Sequence, residues 1–208
     1  MKDIVKPAVV LFIICFAVSA ALALTYSATR EKIAERASID AENAKREVLQ
    51  KARSFKAVDI NELVKGNSQS DIVREAYVGL NGSKVEGYVF STVTKGYGGD
   101  INIIVGVDMD GRVTGVKVGD NKETPGLGTK ASEKPFLSQL VDIIPTGEFV
   151  IVKTKKTKPE EVEAISGATI TSRAVVKAVQ AAVSTAAELK KNEIEYMNTD
   201  SQLKGEGK

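Results

Sequence analysis

The chain has 208 residues, 43% of them apolar and 27% charged, with a formal net charge of +2. That is room for one ordinary domain plus an appendage, and no basic cluster with interleaved aromatics marks a nucleic-acid binder. With no histidine and a single cysteine, Cys15, the chain has no Ser-His-Asp triad, no His-ligated metal, no internal disulfide and no iron–sulfur cluster of its own. Any redox chemistry has to come from an organic cofactor.

Residues 1–6 form a short, mildly basic head. Residues 7–26 read as a transmembrane helix. From Pro7 to Leu24 the 18 residues PAVVLFIICFAVSAALAL carry no charge, and as a helix they cover roughly 27 Å, close to the ~30 Å hydrocarbon core. Thr25 and Tyr26 extend the run to the interface, where tyrosine is at home. Ala21-Leu22-Ala23 offers a small-x-small cleavage site, but the run is long for a signal-peptide core, so the reading is an uncleaved anchor. Basic residues fall on both sides of the span, and a head too short to fold ahead of a long tail favours export of the tail.

Residues 27–71 read as a helical stalk and linker. Ile33, Ala37, Ala41, Ala44, Val48 and Ala52 form a narrow stripe at spacings of four and three, able to lie on a neighbouring helix or on the domain. Residues 57–71 lack periodicity and are expected to be a loop or short helix.

The folded domain is expected over residues 72–191. Ile72 to Leu80, Asn81-Gly82 and Lys84 to Thr94 spell a hairpin. Gly96-Tyr97-Gly98-Gly99 links it to a second, in which Asp110-Gly111 turns the strand at Ile101 to Val107 back into Val113, Val116 and Val118. Asn121 to Gly128 then breaks the periodicity with Pro125-Gly126. A helix from Glu133 to Val141, a strand near Phe149 to Val152 and a charged turn carrying Pro159 follow. The polar tail, residues 192–208, is expected to be disordered.

The chain is organised around Glu163-Ala164-Ile165-Ser166-Gly167-Ala168-Thr169-Ile170-Thr171-Ser172. Beyond it Val175, Val176, Val179, Val183 and Ala186 recur at helical spacing, predicting an amphipathic helix to about Leu189 with Thr171 or Ser172 as its N-cap. Gly167 and Ala168 leave the backbone bare, and a helix start with free amides suits a phosphate. Taken alone, the segment is equally a capped helix in a membrane-anchored, noncatalytic module with nothing bound.

Three colinear blocks resemble the FMN-binding domain family: G-Y-G-G-x-I at Gly96 to Ile101 with the strands that follow, E-T-P-G-L-G at Glu123 to Gly128, and S-G-A-T-x-T-S at Ser166 to Ser172. The family usually has Asp where this chain has Glu163, and often His where it has Asn121. The resemblance implies an α+β fold, a twisted antiparallel sheet packed with helices. It implies FMN joined through its phosphate to Thr169 by a flavin transferase, with Ser166, Gly167, Ala168 and Thr171 around the attachment point. By the same resemblance, Glu123, Thr124, Pro125, Gly126, Leu127 and Gly128 are expected to form the second flavin-contacting segment. With the anchor, the whole resembles the G subunits of Rnf electron-transport complexes, which couple ferredoxin/NAD electron transfer to Na+ or H+ translocation. The equivalent subunit of Na+-translocating NADH:quinone reductase is a similar alternative. Other membrane subunits are the implied partners and the outer side of the bacterial inner membrane the implied place. No residue reads as a general base, so the implied role is that of a redox subunit rather than a stand-alone enzyme.

Overall fold

The computed structural model describes residues 2–59 and 71–205; most of the stretch expected as loop or short helix, residues 60–70, lies outside them. The chain divides into two compact units, Met1–Asn43 and Ala44–Lys208.

The first unit is helical, the leading part of α1 (Lys2–Val48). Its apolar stretch reaches a mean hydropathy of 2.7 with none of it buried within the protein, and Phe12 and Phe16 stack on each other with ring centroids 6.2 Å apart. At its polar end the hydroxyls of Thr25 and Thr29 donate to the carbonyls of Ala21 and Thr25, four residues back. These hydroxyls satisfy themselves on the helix and need no outside partner.

The second unit is built on an antiparallel sheet of five strands in sequence order: β1 (Ser54–Val58), β2 (Val73–Asn81), β3 (Lys84–Lys95), β4 (Asp100–Asp108) and β5 (Val113–Val118). Both expected hairpins are present, β2–β3 through Asn81-Gly82 and β4–β5 through Asp110-Gly111. β1 is the first correction. It falls in the expected linker, yet it pairs along its whole length with β2, Ser54 opposite Leu80 and Val58 opposite Ala76.

The stalk stripe also divides. Ile33, Ala37 and Ala41 are exposed, whereas Ala44, Val48 and Ala52 are buried with Leu49 against Val89 on one face of the sheet. The folded unit therefore begins near Ala44, not at residue 72. The reason is a bare patch. Tyr77, Val89, Gly106 and Gly115 lie opposite one another across four strands. A Cβ on Gly106 would strike the Val48 carbonyl, and one on Gly115 the Val48 backbone. The Thr114 hydroxyl donates to the Val48 carbonyl at 2.5 Å, using an acceptor that a helix end leaves free. Lys45 sits 3.9 Å over the Tyr77 ring.

The opposite face carries the main core, where Tyr88, Phe90, Ile103, Val105 and Val107 meet Val175, Val179 and Ala182 of the last helix, α3 (Thr169–Gly205). The helix expected over Glu133–Val141 is shorter. A 3-10 turn (Gly128–Ser132) leads to α2 (Lys134–Leu137), and two backbone bonds, Asp142 to Val113 and Val113 to Ile143, then draw the chain onto the sheet edge. The strand expected near Phe149 is β6 (Val150–Val152), and it runs parallel to β7 (Glu161–Glu163), which the charged sequence concealed. The tail expected to be disordered continues α3 to Gly205. From Ile170 to Lys204 there is no glycine or proline to stop a helix.

Candidate functional site

The start of α3 is set by a knot of short polar bonds. The first backbone bond of the helix runs from Ser172 N–H to the Ala168 carbonyl at 3.0 Å, which makes Ala168 the cap position and Thr169 the first helical residue. The Ser172 hydroxyl accepts from Ile165 N–H at 3.0 Å and donates to the Ala168 carbonyl at 2.9 Å, closing the loop over Ser166 and Gly167. That loop needs a left-handed residue, and Gly167 supplies it at φ +78°. The amides of Thr169, Ile170 and Thr171 lie ahead of the first helical acceptor, where an α-helix has no carbonyl of its own to offer.

The expected N-cap is therefore corrected. Neither Thr171 nor Ser172 precedes the helix; both lie within its first turn. Thr171 is 1% exposed, and its hydroxyl donates to Glu123 Oε2 at 2.6 Å. The other oxygen of Glu123 accepts Gly98 N–H at 3.0 Å. One buried carboxylate thus ties the three blocks together: the Gly96–Gly99 link, the Glu123–Gly128 loop and the first turn of α3. Glycine makes the space for it. A Cβ on Gly96 would strike Glu123 Oε1, one on Gly128 would strike Oε2, and one on Gly98 would strike the Lys122 carbonyl.

Around this clasp opens a cleft of about 530 Å³, lined by Tyr97, Thr124, Leu127, Gly128, the Gly167–Thr171 backbone and Glu123. Its volume falls within the ~300–1,000 Å³ of small-molecule sites. Three large apolar side chains face it while open to solvent: Tyr97 at 72% exposure, Leu127 at 43% and Ile170 at 54%. Apolar rims above a helix N-terminus match a ligand with a flat apolar ring at one end and an anion at the other. FMN has that division, and the residues present fit it. Thr169 is half-buried on the cleft wall and makes no side-chain hydrogen bond among the described residues.

Not every residue named from the sequence lines this cleft. Pro125, Gly126 and Ser166 are exposed and lie outside its lining. Gly126 forms the turn instead, at φ +75° with its N–H on the Thr129 hydroxyl. Glu163, the acidic position of the motif, faces away, its Oε1 accepting Lys156 N–H at 2.9 Å. Its own N–H is held by Gln139 at 2.8 Å. Two lining residues, Tyr97 and Ile170, were not among the site candidates. The available signal was an aromatic set among three glycines, Gly96-Tyr97-Gly98-Gly99.

Comparison with known proteins agrees with this geometry. A model of the FMN-binding domain family matches residues 96–184, which run from the Gly96 link through the first turns of α3. The G subunit of the Na+-translocating ferredoxin:NAD+ oxidoreductase complex of Acetobacterium woodii is 35% identical over 88% of this chain and 91% of that protein. The chain belongs to the family of G subunits of ion-translocating oxidoreductase complexes. The member from Methanosarcina acetivorans is 34% identical over 88% of this chain and 94% of that protein. The corresponding protein of the proton-translocating ferredoxin:NAD+ oxidoreductase complex of Clostridium ljungdahlii is 38% identical over 53% and 58%. The matched family domain holds all three blocks that Glu123 ties together, so the clasp is an internal feature of the FMN-binding domain.

Proposed function

We propose that this G-subunit chain is a membrane-anchored electron carrier whose FMN is joined covalently, as a phosphoester, to Thr169. The complex it serves is of the Rnf type, moving electrons between ferredoxin and NAD with translocation of Na+ or H+. Its relatives are named for one ion in Acetobacterium woodii and for the other in Clostridium ljungdahlii, so either ion is compatible with this chain. Maturation then requires a flavin transferase, and function requires the other membrane subunits. The apolar window of α1 serves as a single membrane span, with the sheet unit on the outer side.

The observation that carries the reading is the different engagement of two neighbouring threonines. Thr171 gives its hydroxyl to Glu123 and is buried. Thr169 is on the cleft wall with its hydroxyl uncommitted, beside the backbone that Gly167 keeps bare. Only the second can be reached by a transferase without breaking the clasp. When bound, FMN supplies reversible acceptance of electrons; the chain supplies its place. The first-turn amides of α3 would hold the phosphate, and Tyr97, Leu127 and Ile170 the ring. A ring left open on one side suits a carrier, since a partner has to approach it.

Intact-protein mass spectrometry after co-expression with the transferase tests the attachment. The wild-type chain and Thr171→Ala should each gain ~438 Da, the mass of FMN less water, as befits a cofactor carried by the polypeptide. Thr169→Ala should gain nothing, and the gain appearing on that variant moves the site to Thr171 or Ser166. Sidedness is read separately, by protease added to intact spheroplasts. Removal of the sheet unit is expected, and its protection reverses the orientation.

A further inference from the structure

We infer that a second, basic cleft beside the first docks an acidic protein surface, that of the partner with which the cofactor exchanges electrons. The exchange rests on the reading above; the docking chemistry rests on the cleft itself. The cleft measures about 540 Å³ and lies where the start of β2, the end of β3 and the outer face of α3 converge. Arg74, Lys95, Arg173 and Lys177 line it, with Asp71 and Asp100. Four cations against two carboxylates leave a local excess of +2.

Among the described residues none of the six pairs off, although opposite charges line one concavity. Arg173 and Lys177 are four residues apart and share a helix face, where like charges repel. Such an arrangement weakens the free protein and is relieved by incoming carboxylates.

Position gives the cleft its meaning. Ile170 lines both clefts, so one side chain separates the basic surface from the cofactor site. The flavin ring that Tyr97, Leu127 and Ile170 would hold, left open on one side, then supplies the apolar contact next to the charges. A small apolar contact flanked by complementary charge is the layout of transient association, in which charge sets orientation and encounter rate. No aromatic residue lines the basic cleft to stack a base, which disfavours single-stranded nucleic acid as the occupant.

The probe is a fluorescein-labelled decaglutamate peptide, read by anisotropy on the detergent-solubilised full chain at ~10 mM salt, where the screening length is ~30 Å. Arg173→Glu with Lys177→Glu should weaken binding ~10-fold or more, whereas Arg173→Lys with Lys177→Arg should retain it. The control is Lys155→Glu with Lys158→Glu in the exposed lysine-rich turn before β7, expected to change binding less than ~2-fold. Equal loss from both charge-reversed pairs overturns the inference, because binding then follows bulk charge. So does saturable binding of inorganic phosphate with no binding of the peptide, which makes the cleft a small-anion site. A wild-type chain that gains no flavin mass but still shows the cleft-specific loss defeats the proposed function while leaving the docking surface standing.

Discussion

The second unit contains two places where glycines clear room for an inserted group, and they work by different physics. At one, Gly106 and Gly115 let the end of α1 lie directly on the sheet, and what fills the space is Val48, with packing and one hydrogen bond to its carbonyl. At the other, Gly96, Gly98 and Gly128 make room for the Glu123 clasp, and the oxygens of that buried carboxylate accept from an amide and a hydroxyl. The first is fixed by shape and the second by charge and hydrogen-bond geometry. The first should therefore fail by overpacking, and the second by losing a donor.

The largest effect is expected at the packed socket. Gly106→Val would drive a branched side chain into the Val48 carbonyl, and backbone cannot swing aside as a side chain can. A stability loss of about 3 kcal/mol is expected, at the upper end for overpacking, and thermal denaturation checks it. A loss near zero would mean that the end of α1 slides on the sheet.

The clasp comes next. Thr171→Val keeps the shape and removes the donor to Glu123, for an expected loss of about 2 kcal/mol, typical of a hydrogen bond to a charged group. Glu123→Gln should cost about 1 kcal/mol, because an amide oxygen still accepts the Gly98 N–H while the Thr171 hydroxyl turns from donor to acceptor. If the Thr171 substitution proves the milder of the two, the carboxylate is held by the glycine link alone. Flavin attachment should survive both, as read by mass.

Gly126→Val separates strain from contact. Its φ is +75° but nothing lies within 4 Å of a Cβ there, so backbone strain alone acts, about 1 kcal/mol locally. Impaired flavin attachment or a shifted flavin spectrum with an intact sheet is expected; an unchanged spectrum makes this loop a plain connector.

The smallest effect is at the charged turn. Glu161 titrates below its ordinary 4.5 because Thr157 N–H bonds its carboxylate, and Glu160 is likewise lowered, chiefly by the Thr146 hydroxyl. Both carboxylates are held ionised more easily in the folded chain, so their contribution is present above pH 4.5 and fades as pH falls through the lower folded values. Amide chemical shifts of Thr146 and Thr157 should move together below that pH.

Much of this was legible along the chain. The uncharged run from Pro7 to Leu24, the Asn81-Gly82 and Asp110-Gly111 turns and the helical period from Val175 onward are local signals, read within a few residues. The sequence by itself also determined the three blocks, as colinear motifs that carry the glycines at 96, 98, 128 and 167, whereas the collisions a Cβ would meet at 96, 98 and 128 arise only in the packed fold. Only the tertiary structure decided what those glycines surround. Gly98, Glu123 and Thr171 are 25 and 48 residues apart, so no local period could reveal that one carboxylate joins them or that Thr171 is a clasp rather than a cap. The same holds for Val48 on Gly106 and Gly115, and for a basic cleft assembled from residues 71 to 177. Short-range pattern fixes elements through backbone geometry, whereas the partners of a buried side chain are chosen by the space left when those elements pack.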